Sequence, residues 1–346
     1  MTTDAVGGVW TYATTLADSL ADEGVEVVLA VLGPEPSPSQ AAGRELRVFP
    51  GRLEWQADPW DDVARAGQWL LAQAEEVQAD VVHLNDYSHG ALEWRVPLVV
   101  AGHSCVLSWW EAVHGRRAPA EWERYRAMVA AGLHGADAVV APTAAMLADL
   151  RRLYGLDPGG GEVIPNGVHD RFGADVPKEP FVLGAGRLWD AAKALDALDD
   201  AAEALAWPVV VAGDCGSHSR HHAESLGQLD RAELDRLMRR AAIFAHPARY
   251  EPFGLAAVEA GLARCALVLG DLPSLREVWG DAALYVAPGD AAALADAICG
   301  LIADPARREE MGSRARRRAE AYGAGRMAGR YASLYRGFGT RQAVAA

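Results

Sequence analysis

The sequence predicts an α/β fold with two domains, each built on a parallel sheet. Short apolar runs alternate along the chain with longer segments of helical period, which is typical of parallel sheets covered by helices on both faces. The chain has 346 residues, more than one hydrophobic core usually supports. Residues 172–180 show neither period and separate two such series, so they are predicted to link the domains.

The first series occupies residues 1–171. Its predicted helices are residues 9–21, 61–78 and 120–133 and a helix that begins at Thr143. Its predicted strands are residues 25–32, 80–84, 97–101 and 138–141. Only residues 1–6 precede the pair Gly7 and Gly8, and they are too few and too polar to predict a strand. Either the start codon is assigned late, or the first sheet lacks a central strand and is weakened by the exposed edges.

The second series occupies residues 181–324 and repeats the alternation. Its predicted strands are residues 181–186, 208–212, 241–245, 266–269 and 283–286. Helices are predicted over residues 191–205, after Gly254 and over residues 291–338. The last part of the chain, residues 325–346, is assigned to a separate C-terminal helix.

Charge and cysteine content exclude several classes of protein. The formal net charge is −14, so no basic excess exists to neutralise nucleic-acid phosphates. No uncharged apolar run approaches the ~20 residues that span a bilayer, and no signal peptide opens the chain. Four cysteines without Cys-x-x-Cys spacing predict reduced thiols in a cytoplasmic protein; they are Cys105, Cys215, Cys265 and Cys299.

A cluster of arginines lies in one late helical segment, beside Glu309, Glu310 and Glu320. The arginines are Arg307, Arg308, Arg314, Arg316, Arg317 and Arg318. Two interpretations stay open at this point. The segment is either a solvated helix with internal ion pairs or a weak peripheral contact with the anionic inner face of a membrane.

Two carboxylates flank the most informative turn of the chain. Glu251 follows the apolar strand 241–245 and lies in a strand-to-helix loop, where open α/β sheets bind ligands. Glu259 lies five residues into the following helix, roughly 7–8 Å along its axis. The N-terminus of that helix attracts phosphate, and the carboxylates can accept hydrogen bonds from sugar hydroxyls on either side of it. The arrangement predicts a nucleotide-sugar site.

A second turn supplies positive charge. Arg187 and Lys193 follow the strand 181–186, and Lys193 is one of only two lysines in the chain, the other being Lys178. A lysine ammonium and an arginine fork suit two different phosphate oxygens. The same turn resembles a dinucleotide fingerprint, but Trp189 replaces its third glycine and no acidic residue ends the next strand, so no nicotinamide or flavin is predicted.

Gly7 and Gly8 precede the helix 9–21 and would let a diphosphate approach a second helix N-terminus. Taken alone, this pair favours a simple tight turn over a ligand site.

Four motifs in order make the chain resemble the family-4 retaining glycosyltransferases (glycosyl transferases group 1). They are residues 7–10 (Gly-Gly-Val-Trp), residues 164–168 (Ile-Pro-Asn-Gly-Val), residues 186–188 with Lys193, and Glu251 to Glu259 with seven residues between. The resemblance implies the GT-B fold, in which two Rossmann-like domains face each other and the C-terminal helix packs back toward the first. Ala194, after the lysine, departs from the glycine or asparagine common in relatives.

The resemblance also implies roles for the matching residues. Arg187 and Lys193 would bind the donor diphosphate and stabilise the charge that develops on it. Glu251 would bind the donor sugar and Glu259 the ribose. The backbone amides of Phe253, Gly254 and Leu255 would complete these contacts. His103, at a strand end, would lie near the reacting carbon, although a histidine satisfied at a sheet edge is the alternative interpretation.

The implied reaction moves a hexose from a nucleoside-diphosphate sugar to a carbohydrate or lipid-linked hydroxyl, as in polysaccharide biosynthesis, with no cofactor and no metal. Two alternatives stay open: a non-catalytic sugar-nucleotide-binding protein and a sugar-nucleotide epimerase on the same fold. Further weak candidates are His83 and Asp86 in the first domain, a sugar-stacking pair formed by Trp109 and Trp110, and a metal cluster of His218, His221 and His222.

Overall fold

The computed structural model describes residues 1–5, 7–173, 176–214 and 221–345. Contacts divide the chain into two compact units. Unit 1 comprises Met1–Glu111, Arg116–Gly167 and Ala324–Ala346, and unit 2 comprises Ala112–Gly115 and Val168–Gly323. All strand pairs in both units are parallel across the described residues, and the predicted α/β class is confirmed. The chain passes into unit 2 before the predicted linker at residues 172–180.

Unit 1 contains a three-stranded and a four-stranded sheet, ordered β1-β2-β3 and β4-β5-β6-β7. Its strands are β1 (Thr2–Thr3), β2 (Leu29–Leu32), β3 (Leu46–Phe49), β4 (Val82–Leu84), β5 (Leu98–Ala101), β6 (Ala138–Ala141) and β7 (Glu162–Val163). Its helices are α1 (Gly8–Ala21), α2 (Pro38–Ala41), α3 (Trp60–Glu76), α4 (Val106–His114), α5 (Glu123–Gly135), α6 (Ala144–Tyr154) and the C-terminal α13 (Ala324–Ala345).

The expectation that no strand precedes Gly7 is wrong. Thr2 and Thr3 form β1, which pairs in parallel with Ala30 and Val31 of β2. Both threonines are buried, and the hydroxyl of Thr2 is satisfied because it donates to Asp86 Oδ2 at 2.9 Å. A buried strand can therefore carry polar residues here, since each hydroxyl finds a partner.

Unit 2 contains one six-stranded sheet with the order β10-β9-β8-β11-β12-β13. Its strands are β8 (Glu179–Ala185), β9 (Val209–Ala212), β10 (Glu224–Ser225), β11 (Ala241–His246), β12 (Ala266–Gly270) and β13 (Leu284–Val286). Its helices are α7 (Leu195–Ala202), α8 (Arg231–Arg240), α9 (Leu255–Leu262), α10 (Pro273–Trp279), α11 (Ala291–Ala303) and α12 (Pro305–Ala319).

The central strands of unit 2 are buried on both faces. Every residue of β11 and β12 is buried, as expected for parallel strands covered by helices. The sheet is the centre of two apolar clusters, one on each face, and Trp279 is the largest fully buried side chain. This rigid layer fixes the loops that follow β8 and β11, on which the predicted site lies.

Two predicted helices are interrupted. The helix predicted over residues 191–205 breaks at Ala194, which adopts a left-handed conformation (φ 48°) between a short 3-10 turn and α7. The helix predicted over residues 291–338 is three helices, because Asp304 caps α12 ahead of Pro305 and Gly323 separates α12 from α13. Proline suits the first turn of a helix but cannot continue one.

Candidate functional site

Backbone hydrogen bonds join the loops that follow β8 and β11. The amides of Arg249 and Tyr250 donate to the carbonyl of Ala192 at 2.8 and 3.2 Å. This contact brings Lys193 next to Glu251, whose Oε2 accepts from Lys193 Nζ at 2.8 Å. The structure therefore brings together two residues that are 58 positions apart in sequence.

Two further groups hold the carboxylate of Glu251, and a third holds its main chain. His246 Nε2 lies 3.1 Å from Oε2, and the amide of Gly254 donates to Oε1 at 3.0 Å. The hydroxyl of Ser274 donates to the main-chain carbonyl of Glu251 at 2.5 Å. Burial raises the pKa of Glu251, but the charge of Lys193 and the hydrogen bond from His246 outweigh it and hold that pKa well below its usual range. Glu251 is thus an anion at neutral pH.

The N-terminus of α9 opens directly beside this carboxylate. Gly254 is its N-cap and adopts a left-handed conformation (φ 89°), which glycine accepts without strain. The first amides of a helix have no partner within it, so the main chain around Leu255 can donate to an anion. The side chain of Phe253 instead packs in the core, edge-on to Tyr322 with ring centroids 5.4 Å apart.

Arg187 does not contact either carboxylate of the motif. Its Nη2 donates to Asp190 Oδ2 at 2.8 Å, and its guanidinium lies 5.2 Å from the ring centroid of Trp189. Asp190 is buried and also accepts from the amide of Ala192 at 3.1 Å. The side chain of Arg187 is 40% exposed, so it can offer further donors to a ligand while Asp190 fixes its position.

Glu259 lies in an ion-pair cluster that the sequence did not reveal. Its Oε1 is 2.9 Å from Arg171 Nη2 and 2.8 Å from Arg231 Nη1. Both arginines also bind Asp235, Arg171 through Nε at 3.1 Å and Arg231 through Nη2. Arg171 follows the Asn-Gly-Val motif and Arg231 begins α8, so no local pattern in the sequence indicated that they meet Glu259.

In unit 1, Gly7 caps α1 with a positive φ of 76° and no side-chain hydrogen bond. The helix begins at Gly8, one residue before the predicted start at Val9. Both residues are exposed, so the first amides of α1 are open to a ligand. The geometry that the sequence predicted at this helix end is present.

His103 follows β5 and is held by Asn85, which follows β4. Asn85 Nδ2 donates to the carbonyl of Thr2 at 2.7 Å, so its Oδ1 faces His103 Nε2 at 2.9 Å. Nε2 must therefore carry the proton, which leaves Nδ1 as an acceptor in the neutral ring. Burial lowers the pKa of His103 to about 4, and Tyr12 packs on the ring with centroids 4.2 Å apart. The structure thus presents a neutral imidazole of fixed tautomer.

His83 and Asp86 have structural partners. His83 is buried, with Nδ1 2.6 Å from the hydroxyl of Tyr335. Asp86 is 2.5 Å from His89 Nδ1 and accepts from the hydroxyl of Thr2. The charge of Asp86 raises the pKa of His89 to about 9, although burial opposes that shift. These contacts tie β1 to β4 and leave neither residue aimed at a ligand.

Two family models match the chain. The model described as Glycosyltransferase Family 4 matches residues 6–172, and the model described as Glycosyl transferases group 1 matches residues 177–318. The D-inositol 3-phosphate glycosyltransferase of Kineococcus radiotolerans is 30% identical, over 96% of this chain and 91% of that protein. The chain belongs to the family-4 glycosyltransferases. It is accordingly an enzyme, a hexosyltransferase.

Further relatives agree with this assignment. The phosphatidyl-myo-inositol mannosyltransferase of Mycobacterium leprae is 29% identical, over 88% of this chain and 86% of that protein. Among solved structures, sucrose-phosphate synthase from Thermosynechococcus elongatus has a TM-score of 0.80 at 22% identity, covering 98% of this chain and 96% of that one. Anabaena Alr3699/HepE in complex with UDP-glucose has a TM-score of 0.75 at 18% identity, covering 96% and 99%. The fold is GT-B.

Other candidates of this glycosyltransferase are accounted for by packing. Trp109, Trp110, Trp122 and Tyr125 form a chain of tilted and edge-on rings with centroids 5.8–6.4 Å apart, which is the geometry of aromatic packing. The amides of His221 and His222 donate to Asp199, and His218 lies outside the described residues. No group of metal-binding side chains occurs within the described ranges.

The arginine-rich segment is α12, and four of its six arginines are occupied. The occupied ones are Arg308, Arg314, Arg316 and Arg318, which bind main-chain carbonyls or the carboxylates of Asp170, Glu310 and Glu320. The internal ion pairs that the sequence suggested are therefore present. In the part of the chain that the structure describes, no helix is both long and apolar enough to cross a bilayer.

Proposed function

We propose that this glycosyltransferase moves a hexose, with retention of configuration, from a nucleoside-diphosphate sugar to a hydroxyl acceptor. The Lys193–Glu251 pair beside the open N-terminus of α9 carries the proposal. A lysine ammonium and helix amides together suit a diphosphate. A fixed carboxylate next to them suits a sugar hydroxyl, so the two joined loops that follow β8 and β11 offer ligands for both parts of the donor.

Catalysis in this proposal is mainly electrostatic. As the bond to the sugar breaks, negative charge grows on the leaving diphosphate, and Lys193 and Arg187 stabilise that charge more strongly than they stabilise the intact donor. Arg187 keeps an exposed guanidinium while Asp190 holds it in place, so little reorganisation is needed. The proposal requires no metal ion or cofactor, because these side chains supply the positive charge.

Glu251 orients the sugar in this scheme and does not move protons. A carboxyl whose pKa lies well below its usual range is a weak base at neutral pH. Its anionic oxygens instead accept hydrogen bonds from sugar hydroxyls. Within unit 1, His103 offers a neutral ring whose Nδ1 can accept from a hydroxyl, and Gly7 and Gly8 offer main-chain donors at the start of α1.

The acceptor is proposed to be a hydroxyl of a carbohydrate, an inositol phosphate or a lipid-linked sugar. Two relatives carry names that place inositol derivatives among their substrates, and the Anabaena structural neighbour was solved in complex with UDP-glucose. The occupied arginines of α12 give no support to a membrane contact, so the proposal does not include one. A cytoplasmic location stays a prediction from the cysteine pattern.

No specific observation favours the two alternative functions. The non-catalytic interpretation depended on a missing first strand, and β1 occupies that place. An epimerase would consume the donor and release product without any acceptor, which a donor-only incubation separates from transfer.

The test combines a donor screen with analysis of the product. UDP, GDP and ADP are first compared by thermal shift, since a ligand at a hundred times its Kd adds about 2.7 kcal/mol to the free energy of unfolding. The matching glucose and mannose donors are then incubated with inositol and inositol 3-phosphate, and NMR assigns the anomer formed. An α-linked product from an α-linked donor is expected. A β-linked product would refute retention, and stabilisation by none of the diphosphates would refute the donor class.

A further inference from the structure

The geometry of the ion-pair cluster around Glu259 bears on how this enzyme binds the nucleotide of its donor. Oε1 of Glu259 is occupied by both Arg171 and Arg231, at 2.9 and 2.8 Å. Oε2 has no hydrogen-bond partner among the described residues, and it is not fully buried. The carboxylate is therefore held at one oxygen and open at the other.

The two arginines are themselves fixed by Asp235. Arg171 Nε lies 3.1 Å from Asp235 Oδ2, and Arg231 Nη2 binds the other oxygen of the same carboxylate. Each guanidinium thus bridges two carboxylates, and such planar forks define orientation as well as charge. Burial lowers the pKa of Arg231, but the charge of Glu259 and the hydrogen bond to Asp235 raise it above its ordinary value.

The cluster also removes an electrostatic problem. Glu259 is the fifth residue of α9, about 6 Å along the axis from Leu255, where the diphosphate is proposed to bind. An isolated carboxylate at that distance would repel the diphosphate. Two arginines balance two acidic residues here, so Glu259 can present an accepting oxygen without adding net negative charge to the site.

The family resemblance already implies that Glu259 binds the donor ribose; we propose that Arg171 and Arg231 are the positioning residues that fix Glu259 and so make it selective for ribose hydroxyls. This inference rests on the proposed function, because it assumes a nucleoside diphosphate on α9. The ribose is bonded directly to the phosphate chain, so a site about one helical turn from the phosphate can reach its hydroxyls. The free Oε2 accepts from them, and a deoxyribose leaves it without that partner.

The test measures preference between sugars, and not affinity alone. Isothermal titration of the full chain with UDP, GDP and ADP selects the base, and its 2′-deoxy and 3′-deoxy forms are then titrated. Because a hydrogen bond to a charged group is worth ~1.5–3 kcal/mol, the native ribonucleotide should bind at least about tenfold more tightly than one deoxy form. Inorganic pyrophosphate serves as the probe without ribose.

Arg231→Met is the decisive variant. We expect it to reduce the ribose preference to about threefold or less while pyrophosphate affinity stays within about twofold. Arg236→Met is the matched control, since Arg236 lies on the same helix and takes no part in the cluster. The control should keep the full preference. If Arg231→Met does not fold, Arg231→Lys keeps the charge but loses the fork, and it should still lower the preference by about threefold.

The failures are distinguishable. If the wild-type chain binds a diphosphate without any preference for ribose, or if Arg231→Met and Arg231→Lys both keep the full preference, the role of the arginines is overturned and the proposed function stands. If the wild-type chain binds neither pyrophosphate nor any of the three diphosphates, the proposed function falls and this inference falls with it.

Discussion

The candidate side chains of unit 2 are charged, whereas the candidate histidine of unit 1 is neutral. In unit 2, Lys193 and Glu251 form a 2.8 Å ion pair, and Arg187 lies on an adjoining turn. In unit 1, His103 is kept neutral by burial and is held by the uncharged amide of Asn85. In the proposed mechanism, this contrast separates the side chains that would act on the charged part of a donor from those that would act on a neutral hydroxyl. Each prediction below alters either the charged loops of unit 2 or the neutral histidine of unit 1.

The largest effect is expected for Lys193. In the proposed mechanism Lys193 acts mainly on the transition state, so we expect Lys193→Ala to lower kcat by about 10²–10³-fold, similar to the loss of one oxyanion donor. Lys193→Arg should recover part of the rate because it restores the charge. Steady-state transfer assays measure both variants. Arg307→Ala, at an exposed arginine of α12, is the control and should retain full activity.

A smaller effect is expected on the neutral side. Asn85→Leu removes the acceptor that fixes Nε2 of His103. We expect kcat/KM to fall by about tenfold, which is less than the ~10²–10⁴-fold loss of a general acid or base because the imidazole itself remains. Nitrogen NMR of the imidazole should then show mixed tautomers, which a merely structural role would not produce. Because the pKa of His103 is about 4, the wild-type activity should show no titration of this ring between about pH 6 and 8.

The ion pair between Lys193 and Glu251 should also make the free energy of unfolding depend on pH. The pKa of Glu251 is lower in the folded chain than its ordinary value of 4.5, so its ionisation stabilises the fold above about pH 4.5, and this contribution is lost as the pH falls further. The Glu251→Gln variant has no ionisable carboxyl at this position and therefore lacks this stabilisation. We expect the variant to be less stable than wild type by about 1–3 kcal/mol at neutral pH, with the difference shrinking toward about pH 3. Denaturant unfolding at several pH values measures this, and a gap that widens in acid would contradict it.

The smallest effect is expected at Ala194, which follows Lys193. A non-glycine residue in the left-handed conformation (φ 48°) is strained by roughly 1 kcal/mol. Ala194→Gly should therefore raise the free energy of unfolding, by up to about 1 kcal/mol, with little change in transfer. Destabilisation by the same substitution would show that the methyl group, which is fully buried, contributes more through packing than its strain removes.

Local sequence patterns predicted much of the fold and part of the candidate site. The buried strand β11 and the helix that starts after Gly254 follow directly from an apolar run and a glycine, and so does the placement of Glu251. Strand β1 could not be predicted, because the polar groups of Thr2 are satisfied by Asn85 and Asp86, more than 80 residues away. The break at Ala194 was hidden as well, since alanine favours helices and only the tertiary context imposes a left-handed turn.

Long-range pairings limited the prediction of the site. Nothing in the sequence indicated that Arg171 and Arg231 would meet at Glu259, because they are 60 residues apart and each lies in an ordinary charged segment. The two lysines illustrate the same limit. Lys193 reaches Glu251, whereas Lys178 donates to the carbonyls of Met238, Arg239 and Ala263. Their rarity in the composition drew attention to both lysines. Only their contacts in the structure distinguish the candidate site residue, Lys193, from the structural one, Lys178.

Positive charge on the turn after β8, which stabilises the leaving diphosphate, is the core of the proposed mechanism. The most direct test is the transfer rate of the double variant Arg187→Ala/Lys193→Ala at saturating donor, with circular dichroism to show that it is folded. We predict a rate at least about 10²-fold below wild type, together with weaker binding of the nucleoside diphosphate. A folded double variant that transfers sugar at the wild-type rate would contradict this mechanism.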